Sequence, residues 1–339
     1  MTSRERVNKA LNKEPLDRLP RQVWITPSVG GAAQDILAKY PQDIAFVGVK
    51  IGKSPYEHGE AYKTGSRADV FGNIWVTLED GVAGEIKEPI LADWNKLDTY
   101  KLPWEIYKNA DYAALNEQCA SAREYCVVVA RANPFEQLQM LRGPENLYMD
   151  LGAGEPKLNK LIDMLHEFIL YNIKKVCECN ADAIHLSDDW GTQTSSLISV
   201  EMWKEIFKPL YVDYIRHIRA KGKKVFFHSD GFIETIYPEL VDIGVDALNS
   251  QLFCMDIEKL VDNYGDKITF WGELDRQYTL PFGTVHDVYN AVDRLYKAIM
   301  NKHGKLTGMI AQFEWGKRVP AENVAAALER WDHLAANGF

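Results

Sequence analysis

No apolar run in this chain is long enough to cross a bilayer, and its opening residues, Met1-Thr2-Ser3-Arg4-Glu5-Arg6-Val7, lack the apolar stretch of a secretory signal. A membrane span is therefore not expected, and a cytoplasmic location is. Cysteine is scarce. The five cysteines, at 119, 126, 177, 179 and 254, form an odd set without repeated Cys-x-x-Cys spacing, so neither a disulfide framework nor a thiolate zinc site is indicated. Cys177 and Cys179, two apart on a helical pattern, point to different faces and read as packing residues. Positive charge is in deficit too: 39 Lys and Arg stand against 48 Asp and Glu, and no basic cluster with interleaved aromatics would track a phosphate backbone. Nucleic acid is not an expected partner. No Gly-x-Gly-x-x-Gly follows any apolar run, so the usual dinucleotide turn is missing as well.

What remains is ordinary globular composition, 46% hydrophobic and 26% charged over 339 residues. A single domain spanning 1–339 is expected, since one α/β barrel of roughly 250 residues plus insertions fills this length. Ser3 followed by Glu5, Arg6, Val7, Ala10 and Leu11 reads as a capped amphipathic helix that Pro15 and Pro20 stop. Apolar runs at 21–25, 43–49, 125–130, 182–186, 224–227, 246–248, 268–271 and 306–311 then alternate with helical patterns, the last over 321–336. Residues 50–89 interrupt the alternation with hairpin signals around 73–78 and 82–86, an N-terminal insertion that would cap the barrel mouth. Eight strands with intervening helices predict a closed (β/α)8 TIM barrel, an open doubly wound sheet being the alternative.

Chemistry in such a barrel lies just past the C-terminal ends of the strands. Thr26, Arg131, Asn133, Ser187, Asp188, Asp189, His228, Asp230, Asn249, Gln251, Glu273, Asp275, Gln312 and Glu314 fall there and are expected to converge on one cavity. Trp24, Phe135, Trp190, Phe253, Trp271, Phe313 and Trp315 are interleaved with them, an apolar wall suited to an aromatic substrate. Asn133, Asn249 and Asp275 read as turn residues, and of the adjacent Asp188 and Asp189 one reads as structural while the other faces the pocket. The run Lys223-Lys224-Val225-Phe226-Phe227-His228-Ser229-Asp230-Gly231 is the most informative stretch. Its i, i+2 spacing in an extended strand end puts His228 and Asp230 on one face, and zinc accepts both ligand types while keeping a position open. Glu273 is either a further ligand or a hydrogen-bonding partner of His228.

These segments together resemble the uroporphyrinogen decarboxylase superfamily, and within it the corrinoid-dependent methyltransferases. "SRERVNKALNKEPLDRLP", "LSDDWGTQTSSLISVEMWKEIFKPLY", "GKKVFFHSDG", "LVDIGVDALNSQ" and "LPFGTVHDVYNAVDRL" carry the resemblance, in order, over nearly the whole chain. It implies a (β/α) barrel. The decarboxylases proper bear an Arg-Gln-Ala-Gly-Arg segment after the first strand for their polycarboxylate substrate, whereas here Arg21-Gln22-Val23-Trp24-Ile25-Thr26-Pro27 runs into Ser28-Val29-Gly30. Decarboxylation of uroporphyrinogen is accordingly not expected.

The methyltransferase branch binds zinc through His-x-Cys-Gly and a late cysteine. This chain has His228-Ser229-Asp230-Gly231 at the first place and Gln312-Phe313-Glu314-Trp315 near the second, so the resemblance implies metal ligands His228, Asp230 and Glu314, with acids in place of both cysteines. Oxygen and nitrogen ligands leave zinc a harder Lewis acid than thiolates do, which favours an oxygen substrate. The expected activity is O-demethylation: methyl transfer from a small methoxylated aromatic substrate to Co(I) of a separate corrinoid protein. In that scheme Asp188 or Glu273 supplies a proton or an extra ligand. Trp190, Phe253 and Trp315 stack the ring, and Trp24 and Arg131 complete the substrate pocket. The alternatives are a methylcorrinoid:thiol or tetrahydrofolate methyltransferase, for which only Cys254 lies at a strand end, and a silent binding module of the same fold. The composition also admits a homodimer.

Overall fold

The computed structural model describes residues 1–26, 29 and 31–339, without the side chain of Ala32. Pro27, Ser28 and Gly30, part of the stretch where the arginine-bearing segment would stand, lie outside the described residues. Eight parallel strands build the central sheet: β1 (Arg21–Ile25), β2 (Ile44–Gly48), β6 (Tyr125–Val129), β7 (Ala183–Ser187), β8 (Lys224–Ser229), β9 (Ala247–Ser250), β10 (Thr269–Trp271) and β11 (Met309–Trp315). Their order is β1-β11-β10-β9-β8-β7-β6-β2. At the seam, Asp43 N–H donates to Arg21 O at 2.9 Å and Val23 N–H to the Gln42 side chain at 2.5 Å, so the ring nearly closes. The expected TIM barrel is what forms. An antiparallel sheet of β3 (Gly65–Ala68), β4 (Ile74–Thr77) and β5 (Glu85–Glu88) makes up the insertion.

Two apolar clusters hold the barrel. The larger lies between strands and surrounding helices. The smaller fills the interior, with Ile44, Tyr125, Val127, Phe226, Trp271 and Ile310 buried there and Trp24 and Phe46 packed against them. Val7, from the helix Ser3–Leu11, joins this interior cluster and so plugs the N-terminal end of the barrel. That helix is capped by Thr2 rather than Ser3, because Thr2 has Glu5 three residues on and completes a reciprocal capping box. Among the described residues no helix is long and apolar enough to cross a membrane.

Two strands run past their expected ends. β8 includes His228 and Ser229, and β11 starts at Met309 and continues to Trp315, pairing residue by residue with β1 from Arg21↔Ala311 to Ile25↔Trp315. The alternating Gln312-Phe313-Glu314-Trp315 looks like a polar strand end, but the five-residue register with β1 keeps it extended. Gln312 and Glu314 are strand residues.

Candidate active site

Parallel pairing places Ser187, His228 and Asn249 side by side across β7, β8 and β9. His228 Nδ1 lies 2.5 Å from Asn249 Oδ1. The amide's orientation is fixed from its other end, where Asn249 Nδ2 donates to Trp271 O at 2.5 Å and to Gln312 Oε1 at 2.8 Å. A main-chain carbonyl can only accept, so Oδ1 is the atom facing the imidazole, and Nδ1 must carry the proton. In the neutral ring Nε2 then presents its lone pair toward Asp189 and Asp230. Asn249, which reads from sequence as a turn residue, sets the tautomer of His228.

Nε2 lies 3.5 Å from Asp189 Oδ1 and 3.5 Å from Asp230 Oδ1. Donor atoms of Asp189, His228 and Asp230 all fall within 4.8 Å of one another. Asp230 Oδ1 is buried and has no hydrogen-bond partner. Two carboxylates converging on an imidazole nitrogen are stabilised by a positive charge at their centre, which a proton on Nε2 or a bound cation would supply. The loops that carry the two aspartates are locked together: Asp230 N–H donates to Asp189 Oδ1 at 2.9 Å, and Gly231 packs directly on Gly191. A Cβ on Gly231, whose φ is +80°, would stand 2.2 Å from Gly191 O. Only glycine fits there.

Glu314 is elsewhere. Its Oε2 accepts from Arg276 Nη1 at 2.9 Å, and Glu314 is not in the converging group that the resemblance would give it. The same guanidinium bonds Asp230 Oδ2 and lies 3.3 Å from Glu273 Oε2 without the alignment of a hydrogen bond. Arg276, which carries no expected role, therefore ties three acids together. Its own pKa is pushed further up by Glu273, Asp230 and Glu314, against the opposing effect of burial.

Glu273 is only 1% exposed and neither of its oxygens has a hydrogen-bond partner. Burial raises its carboxyl to about 7, with Arg276 pulling the other way and Asp230 adding to the rise. Glu136, in the first turn of the helix Pro134–Arg142, is likewise pushed up to about 7, by burial first and by Asp189 second. Asp189 moves up for the same reasons, burial and then, after the opposing pull of His228, Asp230. Glu136, Asp189, Asp230, Glu273 and Glu314 crowd this region, and among the described residues Arg276 is the guanidinium that ion-pairs with three of them.

Asp188, expected to be catalytic, is fully buried, and its two oxygens accept from Phe135 N, Glu136 N and Tyr211 Oη at 2.6–2.7 Å. It anchors the start of a helix and has no free oxygen for a substrate. Trp190 is 1% exposed and stacks on Phe135 at 4.3 Å, and Trp315 is 2% exposed with its Nε1 on Val319 O, so both are core residues rather than ring-stacking walls. Trp24 packs beside His228, with ring centroids 5.2 Å apart. Asp275 caps the turn at 277–279 as expected of a turn residue.

The strand-end residues do not share one cavity. Phe253, Gln251, Glu273 and Arg276 line one of about 290 Å³. Arg131, Asn133 and Ser187 line another of about 290 Å³, and Thr26, Arg276 and Glu314 a third of about 400 Å³. Asp189, Arg276, Glu136 and Asn249 are the residues that sequence reasoning missed or set aside. Only the doublet Asp188-Asp189 carried a local signal; the others depend on packing between strands distant in sequence.

A protein-family model described as uroporphyrinogen decarboxylase (URO-D) matches residues 71–332. No curated protein matches the chain. Among solved structures, a methyltransferase from Methanosarcina mazei superposes with a TM-score of 0.69 at 15% identity, covering 98% of this chain and 99% of that one. A sugar phosphate isomerase/epimerase from Parabacteroides distasonis covers 94% of each chain at 10% identity with a TM-score of 0.40. At 15% identity the likeness to the methyltransferase is one of barrel fold.

Proposed function

The chain belongs to the uroporphyrinogen decarboxylase family, and from that membership we propose that it is a methyltransferase moving the methyl of a methoxylated aromatic substrate to Co(I) of a separate corrinoid protein in the cytoplasm. One observation carries this reading: the converging donors are Asp189, His228 and Asp230, an oxygen and nitrogen set without a thiolate. Such donors suit a hard divalent cation, zinc in this reading, and thiol activation would call for sulfur ligands. The unpartnered Asp230 Oδ1 and the lone pair of His228 Nε2 fit that cation. Once bound, the cation would supply Lewis acidity to an ether oxygen.

The remaining chemistry belongs to the chain. The methyl carbon leaves oxygen and bonds to cobalt with both cobalt electrons, so Co(I) becomes methyl-Co(III) and the aryl oxygen keeps the pair of the broken bond. Glu273, neutral up to about pH 7, is the group that protonates this phenolate. Arg276 holds Asp230 and Glu314 in place and keeps Glu273 beside them. Asn249 keeps the His228 proton on Nδ1. Phe253, half-buried on the cavity wall with Glu273, is placed to contact the ring. The test is to incubate the protein with reduced corrinoid and a panel of methoxylated aromatics, thiols and methylamines, following Co(I) conversion to methyl-Co(III) by absorbance. Conversion with methoxyarenes is expected; conversion only with thiols or amines overturns the reading.

A further inference from the structure

The cavity at the end of β6 has a donor pattern that the metal-directed acids do not explain. Its wall is largely apolar, with Phe71 from the insertion, Ile106, and Leu165, Phe168 and Ile169 from the helix Pro156–Val176. Three of the polar groups that break this wall, Gln137, Tyr107 and Arg131, are hydrogen-bond donors without an acceptor among the described residues. Gln137 is 6% exposed and its Nε2 has no partner. Tyr107 is 3% exposed and its hydroxyl bonds no described residue. The Arg131 guanidinium makes no ion pair or hydrogen bond among the described residues, and its backbone holds φ at +50°, a left-handed conformation rare outside Gly, Asn and Asp. Burial pushes the Tyr107 phenol up to about 12 while the Arg131 charge pulls it down, so the two groups sense each other across the cavity and the phenol stays a donor.

The one acid on this wall is already spoken for. Asp69 accepts from Phe71 N, Asn73 N, Asn73 Nδ2 and Trp75 Nε1. The buried Gln137 Nε2 without an acceptor is costly, and a carboxylate reaching it can accept from the Tyr107 phenol and the exposed Arg131 guanidinium as well. The space of about 290 Å³ suits a single-ring ligand. It also adjoins the metal-directed group, because Ser187 on its wall is two residues from Asp189 on the same strand end.

We propose that this cavity binds the carboxylate of an aromatic acid, with Arg131, Tyr107 and Gln137 as its donors, so that the substrate is a methoxylated arene carboxylate and not a neutral ether. The methoxyl part rests on the demethylation reading above; the carboxylate part rests on the cavity alone. Calorimetric titration of the full chain with benzoate and with neutral, isosteric benzamide tests it. Benzoate should bind roughly 10- to 100-fold more tightly, the scale of a charge-assisted hydrogen-bond pair. Arg131→Gln, at an exposed position the fold does not need, should erase that preference, Arg131→Lys should restore part of it, and Tyr107→Phe, which keeps its ring on Phe168, should weaken benzoate roughly 3- to 10-fold. Equal affinity of the wild type for the two ligands, or unchanged benzoate binding by Arg131→Gln, overturns the inference. Methyl transfer from neutral ethers without a benzoate preference sinks this inference alone. A benzoate preference with no methyl transfer from any methoxyarene leaves the carboxylate cavity standing and sinks the demethylation reading.

Discussion

The two ends of the barrel use the same residue type in opposite ways. At the N-terminal end, Asp43, Asp182 and Asp246 each stand immediately before a strand and accept a backbone N–H from the neighbouring one: Arg21 N at 3.0 Å, Cys126 N at 2.7 Å and Val225 N at 2.9 Å. Each is also matched by cations, Arg6 and Arg18 on Asp43, Arg4 on Asp182, and Lys224 and Arg219 on Asp246. At the C-terminal end, Asp189, Asp230 and Glu273 crowd around His228, Arg276 is the cation that pairs with Asp230 and Glu273 among the described residues, and buried oxygens of Asp230 and Glu273 have no hydrogen-bond partner. The difference separates stability from chemistry. Acids that are fully matched close the barrel, while acids left in excess create a place for a charge that the chain itself does not supply.

Removing a matched acid should have the largest effect on folding. Asp43→Ala strips the acceptor from Arg6 Nη1, Arg18 Nη1 and the Arg21 N–H, while Asp17 keeps its bidentate hold on Arg6, and should cost about 3–5 kcal/mol in denaturant unfolding. A loss under about 1 kcal/mol would mean that the lower acids do not hold the barrel together.

Next in size is the support of the imidazole. Asn249→Ala frees His228 Nδ1 and should weaken zinc binding roughly 10- to 100-fold; because it also strands the buried Trp271 O and Gln312 Oε1, it should cost about 1–3 kcal/mol of stability, so zinc affinity is read on protein checked to be folded. Unaltered zinc affinity would detach Asn249 from the site.

The smallest effect is a gain. In chelated protein, Glu273 stays protonated up to about pH 7 when folded but ionises in the ordinary carboxylate range when unfolded. Its contribution to stability is thus full below the unfolded pKa and lost as pH climbs through about 7. Glu273→Gln should therefore be more stable than wild type by roughly 1–3 kcal/mol at pH 8, with the advantage shrinking toward pH 5. Equal melting curves at both pH values would show that Glu273 is not charge-frustrated.

How far the sequence alone reaches follows the same division. The lower end was legible, since the apolar runs at 43–49, 182–186 and 246–248 begin on the aspartates that later bridge strands, and period and turn signals are local. His228 and Asp230 were legible for the same reason: one strand carries both. Glu314 was misplaced because pairing with β1 carries β11 on to Trp315 and the Arg276 guanidinium takes its carboxylate. The choice between Asp188 and Asp189 depended on a helix start at Pro134, some fifty residues away, which only the folded chain brings up to Asp188. Trp190 and Trp315 looked like pocket walls because an aromatic residue past a strand reads alike whether it faces a ligand or a neighbouring helix.

The most direct test is X-ray absorption at the zinc edge on zinc-loaded protein, with the metal content of Asp189→Ala and Glu314→Ala measured alongside. One zinc per chain is expected, with nitrogen and oxygen neighbours at about 2.0–2.2 Å and no sulfur near 2.3 Å. Asp189→Ala should lose the metal and Glu314→Ala should keep it. A sulfur neighbour, or zinc retained without Asp189 but lost without Glu314, would contradict the site described by Asp189, His228 and Asp230.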